Sequence, residues 1–141
     1  MIKIVPVEKT NESGKLIMDW RNDKETMKNS FRQTTFTWDE FKELFYSKYF
    51  SNRLPPLFAI HNNQKIAFIG SMNLERDDTI EISININPSF RGKKLAVPIM
   101  REAICYIQKN HLTVQRIVAD IKHFNIASLK TCKRGGCNWR P

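Results

Sequence analysis

The chain has 141 residues, a length that fits one domain able to bury roughly 68 to 70% of its unfolded surface. Its 41% hydrophobic and 26% charged fractions are globular, and 5 glycines with 6 prolines exclude a collagenous or low-complexity chain. Lys plus Arg number 23 against 14 acidic residues, and the net charge of +9 points to anionic ligands: nucleic acid, anionic lipid or a phosphorylated small molecule. No apolar run approaches the roughly 18 residues of a membrane span, and residues 1–10 alternate charge with Ile and Val instead of building a signal-peptide core, so a cytoplasmic protein is expected. Cys105, Cys132 and Cys137 are odd in number and form no CxxC pair, which suits a reducing compartment better than a disulfide framework and argues against a metal site.

In chain order, Ile2, Ile4 and Val7 open a strand, and residues 11–14 form a turn. Leu16, Ile17 and Trp20 recur at helical spacing, and a short polar helix follows Asp23 as far as Ser30. Thr37 with Glu40 three residues on reads as a capping box for a helix that carries Phe41, Leu44, Phe45 and Phe50. Residues 57–60 and 66–74 read as a hairpin around the turn 61–64. Residues 79–87 alternate strictly, with Ile80, Ile82, Ile84 and Ile86 on one face and Glu81, Ser83 and Asn85 on the other. A helix over 95–108 places Ile99, Met100, Ala103, Ile104 and Ile107 on one stripe, with Pro98 confined to its first turn. A strand over 114–121 and a last helix over 127–133, stopped by Gly135 and Gly136, complete a single domain without repeat or linker.

The segment Asn87-Pro88-Ser89-Phe90-Arg91-Gly92-Lys93-Lys94-Leu95-Ala96 joins the clearest strand to the clearest helix. Such a junction presents free backbone N–H groups and the positive end of a helix dipole, a ready anion site. Gly92 would admit a phosphate close to the backbone, and Lys93 and Lys94 add charge; the alternative is an ordinary turn with solvated lysines.

Here the sequence resembles the GNAT superfamily of acetyl-CoA-dependent N-acetyltransferases. Arg91-Gly92-Lys93-Lys94-Leu95-Ala96 matches the phosphate-loop pattern Arg/Gln-x-x-Gly-x-Gly/Ala at its first and last positions, with Lys94 in place of the middle glycine. A second family pattern, Asn-x-x-Ser-x-x-x-Tyr-x-x-x-Gly-Phe, is met by Asn125, Ser128 and Gly136, with Cys132 in the tyrosine slot and Cys137 in the phenylalanine slot. Residues 16–30, followed by the Thr-Trp-Asp-Glu helix start, look like the opening of members that acetylate nucleotide-linked amino sugars for surface glycans, and are also similar to those that acetylate ribosomal protein N-termini. Trp20 is expected in the core of its helix, while Arg21 and Asn22 lie past the apolar stripe, free to reach a cleft.

The resemblance implies an α/β fold with a central, mostly antiparallel sheet and flanking helices, and acetyl-CoA as co-substrate without a metal. It places the pantetheine arm along the backbone of Ile84 and Ile86, the thioester carbonyl near an amide by Asn85, and the pyrophosphate over residues 91–96, with Asn125 and Ser128 also on the cofactor. Direct transfer needs a group to receive the amine proton and an acid for the leaving thiolate. Glu81 is the candidate base, with His61 and His123 as alternatives. Ser83, Arg21 and Asn22 are candidates for holding the acceptor, and Cys132 stands where a tyrosine protonates the departing sulfur. Only residues 137–141 follow the last predicted helix, where the family adds two strands. That leaves an exposed sheet edge that a homodimer would cover, or a shortened, impaired site. The competing readings are a CoA-binding domain without catalysis, an acetyltransferase for protein N-termini, and a basic nucleic-acid-binding module carrying Lys130, Lys133, Arg134 and Arg140.

Overall fold

Six strands form one sheet in sequence order: β1 (Lys3–Pro6), β2 (Leu57–His61), β3 (Gln64–Asn73), β4 (Thr79–Ile86), β5 (Arg116–Ile121) and β6 (Ile126–Thr131). The computed structural model describes residues 1–24, 27, 34–73, 78–121 and 126–131, and at 73, 119–121 and 126–131 the backbone alone. Every neighbouring pair of strands is antiparallel except β4 with β5. A parallel pair requires a crossover, and the helix here named α3 (Ala96–Asn110) supplies it. The mixed, mostly antiparallel sheet with flanking helices is the architecture expected from the sequence. No helix among the described residues is long and apolar enough to cross a membrane.

Because successive strand side chains point to opposite faces, the sheet sorts its apolar residues into two cores. Leu57, Ala59, Ala67, Ile69, Ile80, Ile82 and Ile84 meet the stripe of Ile99, Met100, Ala103, Ile104 and Ile107 on α3. Phe58 and Phe68 face the other way, against Ile17 and Trp20 of α1 (Asn11–Arg21), Phe41 of α2 (Trp38–Leu44) and Phe45 in the turn beyond it. Trp20 is a core residue, edge-on to Phe58 with ring centres 5.9 Å apart.

The cap of α2 forms as the sequence indicates. Thr37 Oγ1 accepts from the Glu40 amide at 3.3 Å, and Glu40 Oε1 accepts from the Thr37 amide at 3.2 Å. Beyond Leu44 the helix continues as a π-helical turn, Phe45–Tyr49. The β2–β3 hairpin turns on Asn62 and Asn63, whose φ values of 51° and 62° are the left-handed pair a two-residue hairpin requires.

Three expectations are corrected. Residues 11–14 are the first turn of α1, not a turn before it, because Thr10 Oγ1 accepts from the Ser13 amide at 3.2 Å and caps the helix there. Gly14 is packed inside that turn: a Cβ would stand 3.0 Å from ring atoms of Phe45 and Trp38. The helix expected over 127–133 is instead β6, paired antiparallel to β5 from Ile121 against Ile126 to Arg116 against Thr131. Pairing satisfies the outer backbone groups of β5, which a helix there would leave open, and it moves the sheet's edge from β5 to β6. Cys105 is disulfide-bonded, contrary to the reading of unpaired thiols, since spacing along the chain does not report proximity in space. The short helix expected up to Ser30 falls largely outside the described residues.

Candidate active site

The face of β4 turned away from α3 is polar. Its register with β3 sets Glu81 beside Met72, Ser83 beside Gly70 and Asn85 beside Phe68. Gly70 makes room there: an added Cβ would stand 3.3 Å from the Phe68 ring and 3.6 Å from Ser83 Oγ. Over this strip opens a cavity of about 530 Å³, walled by Arg21 at the end of α1, Lys48 and Tyr49 of the π-helical turn, and Asn52 and Ser71. That volume lies within the range of roughly 300 to 1,000 Å³ usual for small-molecule sites.

Four residues expected at the site from sequence, Glu81, Ser83, Asn85 and Arg21, line this one cavity. Asn85 is only 7% exposed, and its amide bonds to no described residue, so it faces the cavity with hydrogen-bonding capacity to spare. Glu81 likewise has no ion-pair or hydrogen-bond partner among the described residues. Asn22 does not line the cavity. Its amide clamps Phe36, donating to the Phe36 carbonyl at 3.0 Å and accepting from its N–H at 2.7 Å. His61 stands at the end of β2 beside Met1, its Nδ1 3.1 Å from the Met1 carbonyl, and is absent from the cavity wall. His123, Asn125 and Cys132 lie outside the described residues, and Ser128 sits in β6 opposite Ala119.

Sequence reasoning missed Tyr49. Its ring stacks parallel on Phe68 with centres 5.6 Å apart, and its hydroxyl oxygen accepts a hydrogen bond from Arg21 Nη1. Burial pushes the phenol above its usual 10, the Arg21 cation pulling the other way, so Tyr49 stays a neutral hydroxyl. The signal was its place one turn after Phe45, on the helix face already read as apolar.

The turn between β4 and α3 carries the other half of the site. Asn87 caps it, accepting from the Ser89 amide at 3.0 Å and donating to the Lys65 carbonyl at 3.0 Å. Gly92 and Lys94 both take left-handed backbone, φ 75° and 57°, and the amides of residues 92–97 donate to no described partner. Alternating left-handed residues ahead of a helix N-terminus aim these N–H groups outward as an anion nest. Pro98 sits where a missing donor costs nothing. Leu95, Ala96, Ile84 and Ile86 spend their side chains on the α3 core and offer a ligand their backbone alone. Lys93 lies over the Phe90 ring, and Arg91 forms an ion pair with Asp23, beyond the end of α1.

Lys94 occupies a conformation that favours glycine, at a cost of about 1 kcal/mol or more. Lys94→Gly is therefore expected to raise the midpoint of thermal unfolding by a few degrees, less what is lost to the greater freedom of the unfolded chain. An unchanged or lowered midpoint would show that the lysine side chain repays its strain.

Between the two halves, β4 and β5 pair from Thr79 against Arg116 to Ser83 against Asp120 and no further. Residues 84–86 extend β4 beyond that pairing, leaving backbone groups on the β5 side without a strand partner among the described residues. An extended arm with amide groups fits there as an added strand, with the anion nest ahead of it and the cavity beside it. The group this geometry fits is a long, phosphate-bearing ligand with an amide-containing arm, and acetyl-CoA is of that kind.

A family model for the acetyltransferase (GNAT) domain matches residues 3–138. No curated protein sequence matches the chain. Among solved structures, aminoglycoside acetyltransferase AAC(6')-Ib in complex with coenzyme A and kanamycin superposes with a TM-score of 0.68 at 17% identity, over 85% of this chain and 74% of that one. Spermidine N-acetyltransferase from Vibrio cholerae, in complex with CoA and spermine, gives 0.70 at 18% identity, over 84% and 69%. An N-acetyltransferase from Staphylococcus aureus Mu50 gives 0.65 at 22% identity, over 84% and 72%. With the family model spanning nearly the whole chain, over a sheet that opens beside an anion nest, this protein belongs to the GNAT family of acetyl-CoA-dependent N-acetyltransferases.

Proposed function

We propose that the protein moves the acetyl group of acetyl-CoA directly to a primary amine of a nucleotide-linked amino sugar. The observation that carries the transfer is the placement of two halves on one strand: the polar strip Glu81-Ser83-Asn85 ends where the unpaired edge at residues 84–86 and the nest at residues 92–97 begin. In this reading the nest and the charge of Arg91, Lys93 and Lys94 hold the pyrophosphate, and Ile84 and Ile86 hold the pantetheine arm through their backbone. Asn125 and Ser128 stay assigned to the cofactor by family pattern. Bound acetyl-CoA supplies an activated acetyl thioester.

The amine nitrogen forms a bond to the carbonyl carbon and the carbon–sulfur bond breaks, so one proton must leave nitrogen and one must reach sulfur. Glu81 takes the first, directly or through a water held by Ser83 and Asn85, and Cys132 is the candidate donor of the second, a role that requires the Cys105 disulfide to be made with Cys137. Neither proton transfer needs a metal. The amino-sugar acceptor is supported by the sequence of residues 16–30 and by the cationic wall that Arg21 gives the cavity. The aminoglycoside and spermidine acetyltransferases among the structural relatives supply the alternative acceptors.

Release of free CoA thiol tests the reading, with acetyl-CoA and a panel of a UDP-linked 4-amino sugar, kanamycin, spermidine and a ribosomal N-terminal peptide. Thiol release with the UDP-linked sugar is the expected result. Acetyl-CoA binding without thiol release from any amine would instead make this a CoA-binding domain that does not catalyse.

A further inference from the structure

The cavity's described walls carry two cationic side chains, Arg21 and Lys48, against one carboxylate, Glu81. If Glu81 is committed to the amine proton, the remaining charge is positive. A polyamine or aminoglycoside would bring several ammonium groups to that wall, and like charges repel. An amine that also carries a phosphate would place opposite charges together.

Arg21 is held for such a task. Its Nη1 donates to the Tyr49 hydroxyl, and its guanidinium lies over the Phe36 ring at 5.0 Å. Tyr49 is fixed in turn by its stack on Phe68 and by the edge of Phe41, with ring centres 5.6 Å apart in each case. The guanidinium plane and one nitrogen are thereby set, and the other N–H groups bond to no described residue. A planar fork fixed before binding loses little freedom when it takes a phosphate through two hydrogen bonds, the geometry for which arginine is suited and lysine is not.

We infer that Arg21, positioned by Tyr49, selects an acceptor amine bearing a phosphate and makes the cavity reject polycationic amines. The inference rests on the acetyltransferase reading above and narrows its acceptor by charge, independently of whether that acceptor is a nucleotide sugar. Tyr49 is a positioning residue in this scheme and Arg21 the residue that meets the substrate.

The test begins with binding. Glucosamine 6-phosphate, glucosamine, UDP and spermidine are titrated calorimetrically into the full chain saturated with CoA, so that the nest is already filled. The phosphate-bearing probes are expected to bind and spermidine is not. Arg21→Ala should weaken the phosphate-bearing probes roughly 10- to 100-fold, the loss of a charge-assisted pair. Arg21→Lys should recover only part of this, and Tyr49→Phe, which keeps the ring stack, should cost several-fold. Thermal unfolding of each variant separates this loss from misfolding, and glucosamine, whose ammonium the Arg21 charge repels, should bind no more weakly to Arg21→Ala.

Turnover then reads the same contrast. Tyr49→Phe should raise KM for the phosphate-bearing amine with kcat little changed, an effect a merely structural tyrosine would spread over every amine. Binding of spermidine in preference to glucosamine 6-phosphate, or phosphate binding indifferent to Arg21→Ala, would overturn the inference. Arg21-dependent binding of glucosamine 6-phosphate with no turnover of the UDP-linked sugar would uphold it and remove only the nucleotide-sugar acceptor. Turnover of the UDP-linked sugar unaffected by either variant would do the reverse.

Discussion

Gly92→Val is expected to lower acetyl-CoA affinity at least about tenfold while the protein still folds. Two effects act at this position and can be separated. A Cβ at Gly92 would meet nothing of the chain within 4 Å, so valine introduces no clash inside the protein. Its φ of 75° is the left-handed region, which costs an L-residue about 1 to 2 kcal/mol, and the turn either bears that cost or relaxes out of shape. In the proposed cofactor site a phosphate reaches the amides of residues 92–97 through the open space around Gly92, so the new side chain would stand in the ligand's path. Gly92→Asn tells the two apart, because asparagine tolerates left-handed backbone yet still places atoms before the nest. It too should lose affinity, by calorimetry at two salt concentrations, and the wild-type affinity should fall as salt rises. Unchanged acetyl-CoA affinity in both variants would remove the pyrophosphate from this turn.

How much of this was legible in the sequence depended on what kind of constraint shaped each part. The alternation of residues 79–87 contains both the buried isoleucines and the polar strip, because a strand's period of two assigns each side chain to a face without reference to the rest of the fold. The anion nest was half legible. Gly92 and the helix start after it are sequence features, but the left-handed backbone at Lys94 is not, since nothing about a lysine announces φ 57°. Tyr49 was missed because its place one turn after Phe45 reads as core, and that spacing does not report that its hydroxyl meets Arg21 at the cavity wall. Arg21 and Asn22 illustrate the limit in another way. Both lie past the stripe of α1 and looked equally free, yet one borders the cavity and the other is spent on the backbone of Phe36, a partner 14 residues away. The helix expected over 127–133 failed because a six-residue segment beside an open sheet edge answers to that edge more than to its own spacing.

Glu81→Gln is expected to leave acetyl-CoA affinity unchanged and to lower the acetylation rate at neutral pH, with the deficit closing as pH rises. Glutamine preserves the shape of the strip beside Met72 and Ser83 but cannot take a proton, so the substitution removes the base and little else. At neutral pH most amines are protonated in solution, and the enzyme must bind the neutral minority or strip the proton within the site. In the proposed mechanism Glu81 serves the second route, and a positioned base is typically worth about 10²- to 10⁴-fold. At alkaline pH the amine arrives neutral, the proton still to be lost in the addition step passes readily to water, and the variant approaches wild type. The size of the deficit at neutral pH should itself follow the acceptor. A sugar amine with a depressed pKa is already partly neutral and needs the base less, so its loss lies at the low end, whereas spermidine, protonated throughout, would show the full effect. The rate ratio of wild type to Glu81→Gln, measured across pH at saturating acetyl-CoA, therefore reports both the base and the kind of amine it serves. A ratio that stays flat from neutral to alkaline pH would take Glu81 out of the proton transfer and leave Asn85 and Ser83, the other polar groups of the strip, to act through a water they hold at the same cavity wall.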